Sequence, residues 1–318
     1  MLGQLAGDAL GSMVEFEGPA SIRARYPDGL RVIGPSPTFH TIAGQPTDDS
    51  ELALALARSL EARHGYDEDD VAAAYARWIE SDPFDCGTTI GPATQAMARA
   101  VGTGKSPAAA GREAANPRSE SNGALMRQSP LAIWGAHLPP EELGRIVRAD
   151  TTLTHPNRVC QDASAAYIVA LAAAIRDGLS AEETYDVALA WDREHGASPK
   201  VTAALRDARA HLPEYTISIG HVIIALQNAF YQALHAPSLE EGVVRTVMEG
   251  GDTDTNGAIA GALLGGIHGV AAIPAQWREA VLHCRPERGA PGVQRPRPED
   301  YWPGDALDLA EKLVDSRA

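Results

Sequence analysis

Cysteine is scarce in this sequence: Cys86, Cys160 and Cys284 lie far apart among 318 residues. An odd, scattered set builds neither a disulfide framework nor the paired spacing of a zinc site, and it fits a reducing, cytoplasmic compartment. Basic residues are also few, 27 Lys and Arg against 42 Asp and Glu, for a formal charge of −15. Non-specific nucleic-acid binding is therefore disfavoured, because phosphate contacts need clustered cations that release counterions. Aromatic residues make up only 5%, and β-branched runs are scarce, which disfavours sheet. No run approaches the ~20 apolar residues of a membrane span, and Met1 leads directly into a patterned segment without a basic leader. A soluble chain with no membrane partner is expected.

What is present is alanine, concentrated in windows whose apolar residues recur at helical spacing. The expected fold class is all-α. Leu2, Leu5, Ala6, Ala9, Leu10 and Met13 share one helical face from the first residue. After a Pro- and Gly-rich stretch at 33–46, the spacing predicts helices over 48–63, 69–80, 90–101, 141–149, 158–177 and 181–194. Further helices are predicted over 199–211, 217–234, 239–249, 254–270, 274–283 and 304–316. Ser180 with Glu183, and Ser238 with Glu241, have the spacing of a capping box. No composition shift, low-complexity linker or solenoid repeat divides the chain, so a single domain over 1–318 is expected. Its Pro-rich C-terminal extension at 285–303 reads as a surface strap, with Tyr301 and Trp302 able to pin it to the body.

Glycine recurs every fourth residue at Gly3, Gly7 and Gly11, and again at Gly257, Gly261, Gly265 and Gly269. Each costs ~1 kcal/mol against alanine inside a helix, so something must approach these backbones closely, most simply a second helix. Other patterns carry less. Gly102-Thr103-Gly104-Lys105-Ser106 imitates the end of a phosphate-binding loop, but Arg99 occupies the upstream glycine position. Asp252, Asp254, Asn256 and Gly257 imitate the start of a calcium loop, but its closing glutamate position is Leu263. His137, His195, His211, His235 and His268 have no partner at metal-ligand spacing.

Two acidic clusters carry the chemistry. Thr47-Asp48-Asp49-Ser50-Glu51 precedes an apolar-periodic helix, where Asp48 and Glu51 would also serve as ordinary caps. Far along the chain, Gly250-Gly251-Asp252-Thr253-Asp254-Thr255 again sets oxygen ligands just ahead of a helix. Converging carboxylates repel and need cations or protons. Hard oxygen donors without thiolates select Mg²⁺ or Mn²⁺, with Ca²⁺ less suited, and two ions offset the charge better than one. The flanking glycines would let backbone approach the ions.

With Gly7-Asp8-Ala9-Leu10-Gly11, Glu15, Asn122-Gly123-Ala124-Leu125-Met126-Arg127 and Thr154-His155-Pro156 in the same order, the chain resembles the ADP-ribosylglycohydrolase family from its start to about Trp277. The resemblance implies an orthogonal helical bundle with two Mg²⁺ or Mn²⁺ ions at the foot of an ADP-ribose cleft. It implies hydrolysis of the bond between ribose C1″ and an acceptor, on a modified protein or a small molecule. Thr47, Asp48, Asp49, Asp252, Asp254 and Thr255 match the family's metal ligands, with Asp254 as the bridging carboxylate. Glu15 matches an acidic residue that orients water beside the metals, and Asp49 and Asp254 join it in the catalytic set. Asp85 matches the acid that arginine-directed members place near the scissile bond. Glu120, Ser121, Asn122, Gly123, Met126 and His155 match positions that hold the ligand, with His155 on the distal ribose or phosphates. Arg127 would either contact phosphate or brace its own loop. Ser50 stands where threonine is common, and the tail from Cys284 to Tyr301 is longer than in compact members. A tail bordering the cleft would restrict acceptor size. Arginine-linked ADP-ribose is the favoured substrate. The alternatives are an ADP-ribose sensor without turnover, a scaffold whose acids only cap helices, and a binuclear metal phosphohydrolase. The residues do not specify an oligomeric state.

Overall fold

The computed structural model describes residues 1–315, which form sixteen α-helices; no β-strand occurs among them, and the only pairings are isolated bridges of Ser36 with Thr41 and Ser121 with His221. The first half comprises α1 (Leu2–Gly11), α2 (Pro19–Arg25), α3 (Asp48–Arg63), α4 (Glu68–Glu80), α5 (Ile90–Ala100), α6 (Pro107–Ala114), α7 (Ser129–Trp134) and α8 (Pro140–Thr152). The second comprises α9 (Arg158–Asp177), α10 (Ala181–His195), α11 (Pro199–Asp207), α12 (Val222–His235), α13 (Leu239–Met248), α14 (Thr253–His268), α15 (Ala275–Leu282) and α16 (Ala306–Asp315). The all-α expectation holds. Ser316, the predicted end of the last helix, lies outside the described residues.

One hydrophobic cluster runs from Leu2 to Leu313. At its centre α9 is 20 residues long and apolar enough to match a membrane span, which corrects the expectation that no segment would. Its 18-residue apolar window is 83% buried in the protein, with α7, α8, α10 and α14 packed around it. Alanines on all its faces permit that enclosure, since an apolar helix shielded on every side is a core helix.

The glycine stripes face each other. α1 and α14 run antiparallel with Gly3 against Gly261, Gly7 against Gly257 and Gly11 against Thr253, backbone on backbone. A Cβ at Gly257 would sit 2.6 Å from the Gly7 carbonyl oxygen, and neither helix can yield locally. At Gly265 the nearest atom across the seam is 3.6 Å away, an ordinary contact. Gly257→Ala is accordingly expected to destabilise by about 1–3 kcal/mol through overpacking, while Gly265→Ala gains helix propensity and stabilises by up to about 1 kcal/mol. Urea midpoints check the pair, and equal midpoints would show that the seam is not the constraint.

Capping explains several boundaries. Ser180 and Glu183 form the complete reciprocal box at α10. Ser238 accepts from the Glu241 amide at α13, but the Glu241 carboxylate pairs with Arg31 at 2.6 Å instead of closing its half. Residues 217–221 are not helical as predicted: Ser218 and Gly220 adopt left-handed φ of 57° and 80°, and α12 starts at Val222.

Candidate active site and metal centre

The glycine seam sets the site by bringing three helix ends together. Asp8 of α1 reaches the start of α3, where its carboxylate accepts from the Thr47 amide at 3.1 Å and the Ser50 amide at 3.2 Å. Asp8, rather than Asp48 or Glu51, thus caps α3. The Thr47 hydroxyl lies 3.0 Å from Asp8 Oδ1 and 2.9 Å from Asp49 Oδ2. With its amides served from α1, α3 leaves Asp48 and Asp49 free to face the N-terminus of α14. There Gly250 and Gly251, at φ of 74° and 78°, form the turn that presents Asp252, Asp254 and Thr255. A Cβ on either glycine would lie 2.5 Å from the carbonyl oxygen of Glu17 or Tyr215. These glycines therefore serve the turn and its chain crossings.

Glu15, Asp252 and Asp254 offer carboxylate oxygens that all lie within 4.8 Å of one another. Glu15 Oε2, Asp49 Oδ1 and Asp254 Oδ2 are buried and have no hydrogen-bond partner among the described residues. Burial pushes Glu15 up to about 9, helped by repulsion from Asp252 and Asp85, and pushes Asp8 up to about 7. Asp48, Asp49 and Asp254 are raised well above the usual carboxylate range by burial and then by one another's neighbours, Asp85 against Asp48, Asp8 against Asp49 and Glu15 against Asp254. Among the described residues, no lysine or arginine lines the cleft. Orphaned hard oxygens without a cationic side chain fit divalent metal ions, whose charge satisfies what protons otherwise must.

The cleft above these groups encloses about 310 Å³. Asp48, Asp252, Asp254, Thr255 and Glu15 form its floor, and Asp85, Thr88 and Ile90 one wall. Ser121, Asn122, Gly123 and Met126 continue that wall, a Cβ on Gly123 lying 2.7 Å from Ile90 Cδ1, and Ile219, Gly220 and Phe16 complete the lining. Asn122 Nδ2 donates to Asp252 Oδ2 at 2.7 Å and ties that wall to the floor. The Asp85 and Asp48 carboxyls face each other closely enough to share a proton, and burial raises Asp85.

A family model described as ADP-ribosylglycohydrolase matches residues 1–317. The chain belongs to the ADP-ribosylglycohydrolase family. It is similar to the ADP-ribosyl-dinitrogen reductase glycohydrolase of Rhodospirillum rubrum, at 30% identity over 87% of this chain and 86% of that protein. It is also similar to ADP-ribosylarginine hydrolase Tri1 of Pseudomonas putida, at 26% identity over 88% of this chain and 72% of that one. Human ADP-ribosylhydrolase ARH3 is 24% identical over 88% of this chain and 87% of its own. A solved structure titled "ADP-ribosylglycohydrolase-related protein complex" superposes with a TM-score of 0.76 at 27% identity, covering 100% of this chain and 96% of that one. Family membership makes the protein a hydrolase of ADP-ribosyl linkages.

Within this ADP-ribosylglycohydrolase fold, two of the predicted ligand-holding residues stand behind the cleft. His155 is fully buried, with its Nε2 2.8 Å from Ser121 Oγ and its Nδ1 2.8 Å from Thr154 Oγ1. Burial and then the Arg127 charge pull it down to about 3, so the neutral ring orients Ser121. Glu120 pairs with Lys200 at 2.6 Å and His221 at 2.8 Å, and its backbone pins residues 220–222 against the Ser121 wall. Arg127 braces its loop: it is fully buried, donates to Gly123 O, Thr154 Oγ1 and Asp150, and lies 4.5 Å from the Tyr75 ring centre. It does not line the cleft. No residue of the C-terminal extension lines the cleft either. Sequence reasoning assigned no role to Asp8, though the one charged residue inside a glycine-striped, mostly apolar helix was an available signal. Phe16 and Ile219, exposed where they line the cleft, had no signal beyond apolar character.

Proposed function

We propose that this ADP-ribosylglycohydrolase cleaves the bond between C1″ of ADP-ribose and a nitrogen acceptor, with arginine-linked ADP-ribose as substrate, and that it requires Mg²⁺ or Mn²⁺. The observation that carries the reading is the convergence of the Glu15, Asp252 and Asp254 carboxylates, with unpartnered oxygens on Glu15, Asp49 and Asp254, at a cleft that no cationic side chain lines among the described residues. Thr47, Asp48, Asp49, Asp252, Asp254 and Thr255 would hold two ions. When bound, divalent ions supply Lewis-acid polarisation of the ribose and fixed positive charge.

The chain's own groups do the rest. Asn122, Gly123 and the His155-oriented Ser121 receive the ribose–pyrophosphate portion, and Met126 closes the wall against the sugar. Glu15 orients the attacking water from the floor. Asp85 lines the same cleft and would pass a proton to the departing nitrogen, which a guanidine leaving group needs. The name of the Pseudomonas putida relative, an ADP-ribosylarginine hydrolase, supports the acceptor.

The test is release of ADP-ribose from matched arginine- and serine-linked peptides with Mg²⁺, with Mn²⁺ and after EDTA. Metal-dependent release from the arginine conjugate is expected. Release from serine alone would overturn the acceptor, undiminished release in EDTA would overturn the metal requirement, and calorimetric ADP-ribose binding without any release would make the protein a sensor.

A further inference from the structure

The C-terminal extension carries an arginine at a place the reaction scheme does not use. Arg297 is 2% exposed and Glu51, within α3, 1%. Glu51 receives Arg297 Nε and Nη2 at 2.8 Å each, and the Trp78 indole N–H at 2.9 Å. The remaining guanidinium donors go elsewhere: Nη1 to the carbonyls of Ser81 at 2.8 Å and Asp82 at 3.2 Å, and Nη2 to Ser81 Oγ at 2.8 Å. All five N–H groups of the fork are engaged. Asp82 is left-handed at φ 55°, a conformation a non-glycine residue holds only when its surroundings enforce it. The loop that turns there carries Asp85 three residues on. A second tie comes from the same strap. Gln45 donates to the Arg295 carbonyl at 2.7 Å, Arg295 Nε donates to Phe39 O at 3.2 Å, and Phe39 packs at a tilt of 52° against Phe84 with ring centres 5.5 Å apart.

We infer that Arg297 is a positioning residue: it locks the Asp85 loop to α3, whose N-terminus carries Asp48 and Asp49, so that the proton donor and the acidic floor keep one fixed spacing. This rests on the proposed glycohydrolase reading for its catalytic consequence but not for its structural one. The extension then governs turnover without touching substrate. A planar fork can hold a carboxylate on one edge and two carbonyls on the other, which an ammonium cannot.

A single neutral substitution would leave Glu51 buried and unpaired, so the test uses Glu51→Gln/Arg297→Met, in which the amide oxygen still accepts from Trp78. The double variant is expected to keep the parental metal-induced thermal shift and ADP-ribose affinity while kcat falls about 100-fold, the cost of an ångström-scale misplacement. Cys86, partly exposed beside Asp85, supplies a readout independent of activity. Its iodoacetamide alkylation, mapped by mass spectrometry, should become severalfold faster, with buried Cys160 unchanged as the control for global folding. Parental Cys86 labelling or a parental kcat overturns the inference. If the double variant does not fold, Arg297→Lys, which retains charge but not the fork, is read by the same criteria. Absence of turnover in the parent protein would sink the glycohydrolase reading alone, since Cys86 labelling still decides whether the clamp exists.

Discussion

Asp254→Asn is expected to lower kcat about a thousandfold or more, because under the proposed metal centre it would remove a ligand of ions that would supply several kcal/mol to the transition state. The same variant should be more thermostable than the parent in EDTA. Asp254 is buried among Glu15, Asp49, Asp252 and Asp85, and each of these charges opposes its ionisation. The amide is nearly isosteric and uncharged, so it removes repulsion without opening a cavity. The pH dependence follows from the raised pKa values. Glu15 and Asp8 move from ordinary values of 4.5 and 3.8 to about 9 and about 7 on folding. Between these limits the folded state binds more protons than the unfolded one, so metal-free stability is full below pH ~4 on this account and falls as pH rises towards 9. Divalent metal should flatten that fall in the parent and not in the variant. Melting curves at pH 5 and pH 8, with and without Mn²⁺, check all three statements. Parental activity in Asp254→Asn would falsify the metal-centre reading, and reduced stability in EDTA would make Asp254 an anchor of α14 instead.

Asp85→Asn is expected to reduce kcat on the arginine conjugate by roughly 10²–10⁴-fold, the range for a lost general acid, with ADP-ribose affinity unchanged. The substitution preserves shape and removes only the transferable proton. Its effect should therefore depend on the leaving group. A conjugate whose leaving group departs without protonation, such as an aryloxy group, should be hydrolysed by the variant at close to the parental rate. Equal losses in kcat and in affinity, or equal losses on both conjugates, would reassign Asp85 to holding the substrate.

Helices with strong local signals were legible to the residue. α3 and α9 run over the predicted 48–63 and 158–177, because their periodicity is long and their ends are marked by a cluster of cap-forming residues and by Gly178 at φ 65°. α2, α6 and α7, of 7, 8 and 6 residues, went unpredicted since so few turns hold little periodicity and depend on packing. α12 was predicted too early because Ile217 and Ile219 imitate a buried face, whereas they are 68% and 47% exposed in a loop.

The candidate site divides in the same way. That two acidic clusters lie ahead of helices, and that glycine stripes demand close backbone contact, are local properties of residue order and were readable from it. The partition of the carboxylates was not. Asp8 spends its oxygens on Thr47 and Ser50, Glu51 is consumed by Arg297 and Trp78, and Asp49 and Asp254 each keep one oxygen free. Only the antiparallel docking of α1 on α14, and the return of the chain end across α3, decide these pairings, because a carboxylate's partner is set by distance in space and not by position along the chain.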